Sequence, residues 1–151
     1  MNQESIDAGV LYIDDTAARL DDFKNLFGKS FNIYTAQSIA IGQGMLARHE
    51  IGVIIIDHLV TGTNGINFCE SIAQSHPRAI KILLTGFSDA DDVNDAINKG
   101  LLYACLPKPW QNDELKNVVK NALEVYYLRK HNIELTYKLY EANYQLSKAN
   151  K

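Results

Sequence analysis

The chain has no basic run, no membrane-length apolar stretch and no cysteine-rich framework, and each absence closes off a class of function. Lysines and arginines are scattered, and the 151 residues carry a formal net charge of -3, so there is no electrostatic argument for binding nucleic acid or an anionic membrane. The N-terminal MNQESIDAG lacks the charged-then-apolar pattern of a secretory leader. Nothing approaches the roughly 20 apolar residues of a membrane span. A cytoplasmic location is expected, with no membrane and no direct nucleic-acid partner. Cys69 and Cys105 stand far apart, in no metal-ligand or redox spacing, and their apolar surroundings read as buried, reduced thiols. What is present is ordinary for a globular protein: 46% hydrophobic and 22% charged residues, enough chain for one compact domain plus something extra.

Five short apolar runs alternate with amphipathic stretches. The runs are Val10–Ile13, Phe31–Thr35, Val53–Ile56, Ile80–Leu84 and Tyr103–Leu106. Val53-Ile54-Ile55-Ile56 is continuous and β-branched, the pattern of a strand buried on both faces. Between the runs, apolar residues recur three or four apart: Leu20, Phe23 and Phe27; Ile66, Cys69 and Ile72–Ala73; Val93, Ala96 and Ile97. Ser38, Asn64 and Ser88, the last with Asp91 three residues on, are helix-start signals. The second helix, around Ser38–Glu50, carries Gly42 and Gly44, each costing about 1 kcal/mol relative to Ala. Strict alternation implies an α/β fold, a parallel sheet with helices on both faces and right-handed crossovers. Ligands of such sheets sit beyond the carboxyl ends of the strands.

At those ends stand the residues that carry chemistry. The first strand runs into Asp14-Asp15, the third ends in Asp57, the fourth ends in Thr85-Gly86, and Lys108-Pro109 follows the fifth. Clustered carboxylates repel one another unless a cation offsets them, and oxygen-only ligands with remaining waters suit Mg²⁺. A carboxylate can be the nucleophile that yields an acyl phosphate, with Lys108 and Thr85 supplying charge and a hydrogen bond to the phosphoryl oxygens. Any one of these residues alone is more often a turn former, a cap or a solvated charge. Their joint appearance at four strand ends favours phosphoryl transfer onto Asp57. His58 has no orienting carboxylate and, like His49, His76 and His131, is assigned no role.

With these residues in place, the chain resembles the response-regulator receiver family of two-component signal transduction, over roughly residues 8–125. LYIDD matches the acidic pair, IIIDHLVTGTNG the phosphoacceptor loop with Gly65 at the turn into the third helix, LLTG the hydroxyl residue, and LPKPW the lysine. The resemblance implies a doubly wound, flavodoxin-like sheet of five parallel strands in the order 2-1-3-4-5. It makes Asp57 the phosphoacceptor, and Asp15, Asp57 and the backbone carbonyl of Leu59 direct Mg²⁺ ligands. Asp14 would hold the ion through water, Thr85 and Lys108 would sense the phosphoryl group, and the Lys108–Pro109 bond would be cis. A sensor histidine kinase or phosphotransfer protein is the implied donor. The domain itself is then a phosphoacceptor rather than an enzyme.

Three departures matter. Val60-Thr61 stands where the family usually has Met-Pro. Cys105 occupies the position of the aromatic switch residue, with Tyr103 nearby, so the usual pull of a ring by Thr85 is not expected. Leu59 and Phe87, which flank the acceptor and the hydroxyl residue, are both apolar, and slow hydrolysis of the phosphoryl group follows. GLLYACLPKPW is also similar to receivers linked to cyclic-di-GMP enzymes.

From Asn112 or Asp113, either able to cap a helix, there is no Gly and no Pro to Lys151. Reading heptads from Val125 puts Val125, Asn132, Leu139 and Leu146 at one seam position. Leu128, Leu135, Ala142 and Ala149 take the other. Seven of these eight are apolar, the pattern of a short coiled coil registered by one Asn, though a tail that frays or folds back is the plainer reading. Tyr126, Tyr127, Tyr137, Tyr140 and Tyr144 widen the apolar surface. Residues 113–150 would span about 60 Å as a helix. The expected division is a receiver over 1–125 and an extended helix over 126–151. The helix would form a homodimer or lead to an output domain in a longer chain, since the pattern stops mid-heptad.

Competing classes fit less well. A haloacid-dehalogenase phosphatase needs a second carboxylate two residues after the nucleophile, where Leu59 stands. A flavodoxin needs a phosphate loop where Asp14-Asp15 would repel phosphate. The serious rival is a receiver-like dimerisation scaffold that is never phosphorylated.

Overall fold

Residues 8–57, 65–85, 94–95, 97–100, 102–107 and 110–149 are described by the computed structural model of the chain. Strands and helices alternate as the apolar runs require: β1 (Gly9–Ile13), α1 (Ala17–Phe27), β2 (Ile33–Ala36), α2 (Ile39–Arg48), β3 (Ile51–Asp57), α3 (Gly65–Ile72), β4 (Ile80–Thr85), β5 (Ala104–Pro107) and α4 (Asn112–Ala149). All pairings are parallel, in the order β2-β1-β3-β4-β5. This is the flavodoxin-like sheet, with a long C-terminal helix. Residues 94–95 and 97–98 are also helical, and that segment turns off at Gly100, whose φ of +77° favours glycine. Among the described residues no helix is long and apolar enough to cross a membrane.

The sheet is covered on both faces because its strands are apolar on both. One core joins Val10, Tyr12, Val53 and Ile55 to Leu20, Phe23 and Phe27 of α1 and to Leu115, Val119, Ala122 and Tyr126 of α4. The other joins Leu11, Ile13, Ile54 and Ile56 to Leu46 of α2 and to Phe68, Cys69 and Ile72 of α3. Every residue of β3 is buried, as its unbroken aliphatic run demands.

Local chemistry explains the boundaries. Ser38 caps α2, its hydroxyl accepting from the Ile41 amide at 3.2 Å. Gly42 has a packing reason that offsets its low helix propensity. A Cβ there would come within 2.7 Å of Ile13 Cδ1, so the glycine lets α2 settle against β1. β2 begins later than the apolar run suggested. The amides of Ser30 and Phe31 bond back to the Phe27 carbonyl at 3.0 Å, so Phe31 belongs to the turn leaving α1 and packs on the core from there. β5 likewise begins at Ala104, and the Tyr103 ring outside it is exposed. The starts suggested at Asn64, Ser88 and Asp91, and the apolar positions Val93 and Ala96, lie outside the described residues.

The root of α4 is fastened to the body by its tyrosines. The Tyr126 ring lies over Gly52 of β3, where a Cβ would meet it at 3.0 Å. Its hydroxyl donates to Glu50 Oε2 at 2.6 Å, and Lys130 Nζ donates to the same oxygen at 2.8 Å. Tyr127 accepts from the Ala8 amide at 3.1 Å and meets Tyr126 edge-on, with centroids 5.5 Å apart. These two of the five tyrosines that widen the apolar surface of the helix are therefore used by the body. Beyond them residues 131–148 are exposed, including Leu135, Tyr137, Leu139, Tyr140, Tyr144 and Leu146.

Candidate functional site

The register of the sheet brings the strand ends together. Ile13 pairs with Ile56 and Asp57 with Leu84, so Asp14 leaves β1 at the level where Asp57 closes β3, one strand spacing of about 4.8 Å away. Thr85 closes β4 opposite Pro107. Asp14 is 1% exposed, Asp57 5% and Thr85 7%. Carboxylates are seldom buried so completely unless they are paired or bonded.

Asp14 is satisfied on both oxygens. The Thr16 amide donates to Oδ1 at 2.9 Å and the Tyr12 hydroxyl to Oδ2 at 2.7 Å. Thr16, which precedes α1, makes no side-chain cap, so Asp14 serves that helix start from outside it. The Tyr12 ring stacks on Phe23 with centroids 4.4 Å apart, which fixes the direction of its hydroxyl. Burial first, then the hydrogen bond to Asp14 and the charges of Asp14 and Asp57, push the phenol far above its usual range, so it remains a donor. The Asp15 carboxylate accepts from the Thr16 hydroxyl at 3.3 Å, and its backbone carbonyl accepts from Gln37 Nε2 at 3.3 Å.

Arg19, on the first turn of α1, reaches the two buried acids. Its Nη1 lies 3.8 Å from Asp14 Oδ2 and 3.6 Å from Asp57 Oδ2. Sequence reading missed both Tyr12 and Arg19. The signal for Tyr12 was a ring with a polar tip inside an otherwise aliphatic buried strand. For Arg19 the sequence offered only a basic residue in the first turn of a helix, against the dipole.

Of the residues expected to act, Asp14, Asp57 and Thr85 come together at one sheet edge, with Asp15 beside them on the loop into α1. Lys108, Pro109 with its peptide bond, Leu59, Val60, Thr61, Gly86 and Phe87 lie outside the described residues. Cys105 is half-buried against the second core, and burial raises its thiol pKa, which keeps it neutral. Cys69 is buried outright, its thiol pushed up to about 12. Lys81 is buried too, beside Ile54, with its Nζ donating to the Ala79 carbonyl at 3.3 Å and its pKa lowered by burial.

Among the described residues, no three His, Cys, Asp or Glu side chains gather closely enough to hold a metal alone. Mg²⁺ does not require that: one or two carboxylates, waters and phosphate oxygens suffice. The donors present fit such an ion. They are all oxygen, and the Asp57 carboxylate stands at the sheet edge beside Asp14, whose two oxygens already accept hydrogen bonds.

Residues 10–120 match the response regulator receiver domain. The chain belongs to that family. Receivers of this family are phosphorylation-controlled switches in two-component signalling, generally phosphoacceptors rather than enzymes. This receiver is 27% identical over 117 residues to the hydrogenase transcriptional regulatory protein HoxA of Cupriavidus necator, an alignment covering 78% of the chain and 24% of HoxA. It thus spans about a quarter of the curated relatives it matches. The signal receiver domain of an HD domain-containing protein from Pseudomonas fluorescens Pf-5 superposes with a TM-score of 0.75 at 26% identity, covering 82% of this chain and 92% of that one. An adenylate cyclase structure from Rhodopirellula baltica reaches 0.84 at 23% identity, over 87% of this receiver and 98% of that chain, a likeness of fold alone.

Proposed function

We propose that this receiver takes a phosphoryl group onto Asp57 from a sensor histidine kinase or phosphotransfer protein, with Mg²⁺ as cofactor, and signals through α4. The observation that carries the reading is the pair of nearly sealed carboxylates, Asp14 and Asp57, side by side at the carboxyl edge of the sheet. An Asp57 oxygen attacks phosphorus, the phosphorus–nitrogen bond of the donor breaks, and the electron pair leaves on the imidazole. Mg²⁺ held by Asp15, Asp57 and the Leu59 carbonyl, with Asp14 behind a water, would neutralise the phosphoryl oxygens. Lys108 and Thr85 would bond those oxygens afterwards, and the changed contacts would bias the surface that α4 presents. Incubation with Mg²⁺ and acetyl phosphate tests this: a gain of about 80 Da in intact mass supports it. No gain would favour the unphosphorylated scaffold, to which Cys105 at the switch position lends support.

Two further outcomes are expected. With Leu59 and Phe87 both apolar, nothing on either side chain orients a hydrolytic water, so dephosphorylation should be slow. Leu59→Asn should quicken it by about tenfold or more in a phosphate-release assay. We also assign residues 1–125 to the receiver and 126–151 to a helical extension whose first residues, Tyr126, Tyr127 and Lys130, rest on the body. That extension would pair in a homodimer along Leu128, Leu135, Leu139 and Leu146, all exposed, and lead to the output domain of a longer protein. Sedimentation should then find the native chain dimeric and a Leu135→Glu, Leu139→Glu double variant monomeric; equal masses would remove the pairing.

A further inference from the structure

Arg19 sits where helix electrostatics disfavour it. It is the third residue of α1, whose first turn has no acidic residue, and a cation there opposes the positive end of the helix dipole. What compensates lies beside it: two buried carboxylates at 3.6 and 3.8 Å from one guanidinium nitrogen. Both distances are ion-pair distances, longer than hydrogen bonds. The side chain itself is 51% exposed. The contact is therefore held by charge rather than by directional bonding, and about half of the side chain is open to solvent.

We propose that Arg19 is a resident counter-cation of the acidic site, which holds Asp14 and Asp57 until Mg²⁺ displaces it and so sets the Mg²⁺ level the receiver requires. The inference rests on the reading of Asp57 as acceptor and metal ligand. Its physical basis is competition for space and for charge. An ion bound to Asp57 would stand about 2.0–2.1 Å from a carboxylate oxygen inside a shell of oxygen ligands. A guanidinium nitrogen 3.6 Å from the same carboxylate crowds that shell and repels the dication. Arg19 is thus a positioning residue. It also offsets the mutual repulsion of the two acids, which would otherwise oppose their burial.

Titration calorimetry of the whole chain with MgCl2 separates the possibilities. Arg19→Gln keeps most of the length without the charge and should bind Mg²⁺ about three- to tenfold more tightly than the native chain, the span expected for releasing one or two partly exposed ion pairs. Arg19→Lys keeps charge on a slimmer head and should fall between, a comparison that survives if the glutamine variant folds poorly. The gap should narrow as ionic strength rises, which a purely structural role would not produce. Affinity unchanged or weakened in both variants overturns the role of Arg19 while leaving the acceptor reading intact. Absence of Mg²⁺ binding in all three proteins overturns both.

Discussion

Asp57→Asn is expected to leave a folded protein that acetyl phosphate cannot label, with mass gain falling at least about 100-fold below the native chain. The argument is chemical. Asparagine matches aspartate in shape and still accepts hydrogen bonds, but its amide is no nucleophile toward phosphorus. Stability should not suffer, because the substitution removes one of two neighbouring buried charges rather than a group that fills space. Asp14 keeps its donors from Tyr12 and Thr16. Intact-mass spectrometry after labelling, with circular dichroism to verify the fold, decides the matter. A variant that still gains about 80 Da would move the acceptor to another residue and undo the assignment of Asp57.

The second large effect concerns stability. Tyr126→Ala should destabilise the receiver by about 3–5 kcal/mol, the usual cost of emptying a buried aromatic site, lowering the melting temperature on the order of 10 °C or more. The ring is 4% exposed and fills the space above Gly52. Tyr126→Phe keeps the ring, loses the bond to Glu50, and should cost only about 1 kcal/mol. That smaller deficit depends on pH. Hydrogen bonds from Lys130 and Tyr126 hold the Glu50 carboxyl below its ordinary value of 4.5. The stabilisation is present in full above that value and is lost as pH falls through the lower folded one. The native and phenylalanine chains should therefore converge in acid. Urea denaturation of both variants measures each difference, and an alanine deficit no larger than that of phenylalanine would contradict the packing described.

Much of this was legible in the sequence, for reasons that differ by residue. Val53–Ile56 could be read as a central strand because a β-branched run without polar breaks has no other stable place. Asp14, Asp57 and Thr85 could be gathered because parallel strands end on the same side, so three separate sequence positions share one edge. Gly42 could not be interpreted, since its use depends on Ile13 lying underneath. Arg19 stayed hidden because a contact between α1 and the end of β3 requires the strand register. Which tyrosines of α4 meet the body is not legible, because heptad spacing does not mark where the body stops supporting the helix. Phe31 was given to β2 because a run of apolar letters does not reveal that its amide turns back to α1.

The unbroken length of α4 makes it a lever. Its fulcrum is the tyrosine pair on the body, and from Tyr126 to Ala149 the arm is about 35 Å long at 1.5 Å per residue. A tilt of roughly 5° at the fulcrum displaces the free end by about 3 Å, several times the movement of any atom near the root. Small rearrangements of the globular part are thereby magnified with distance, and whatever is coupled to the tip feels the larger stroke.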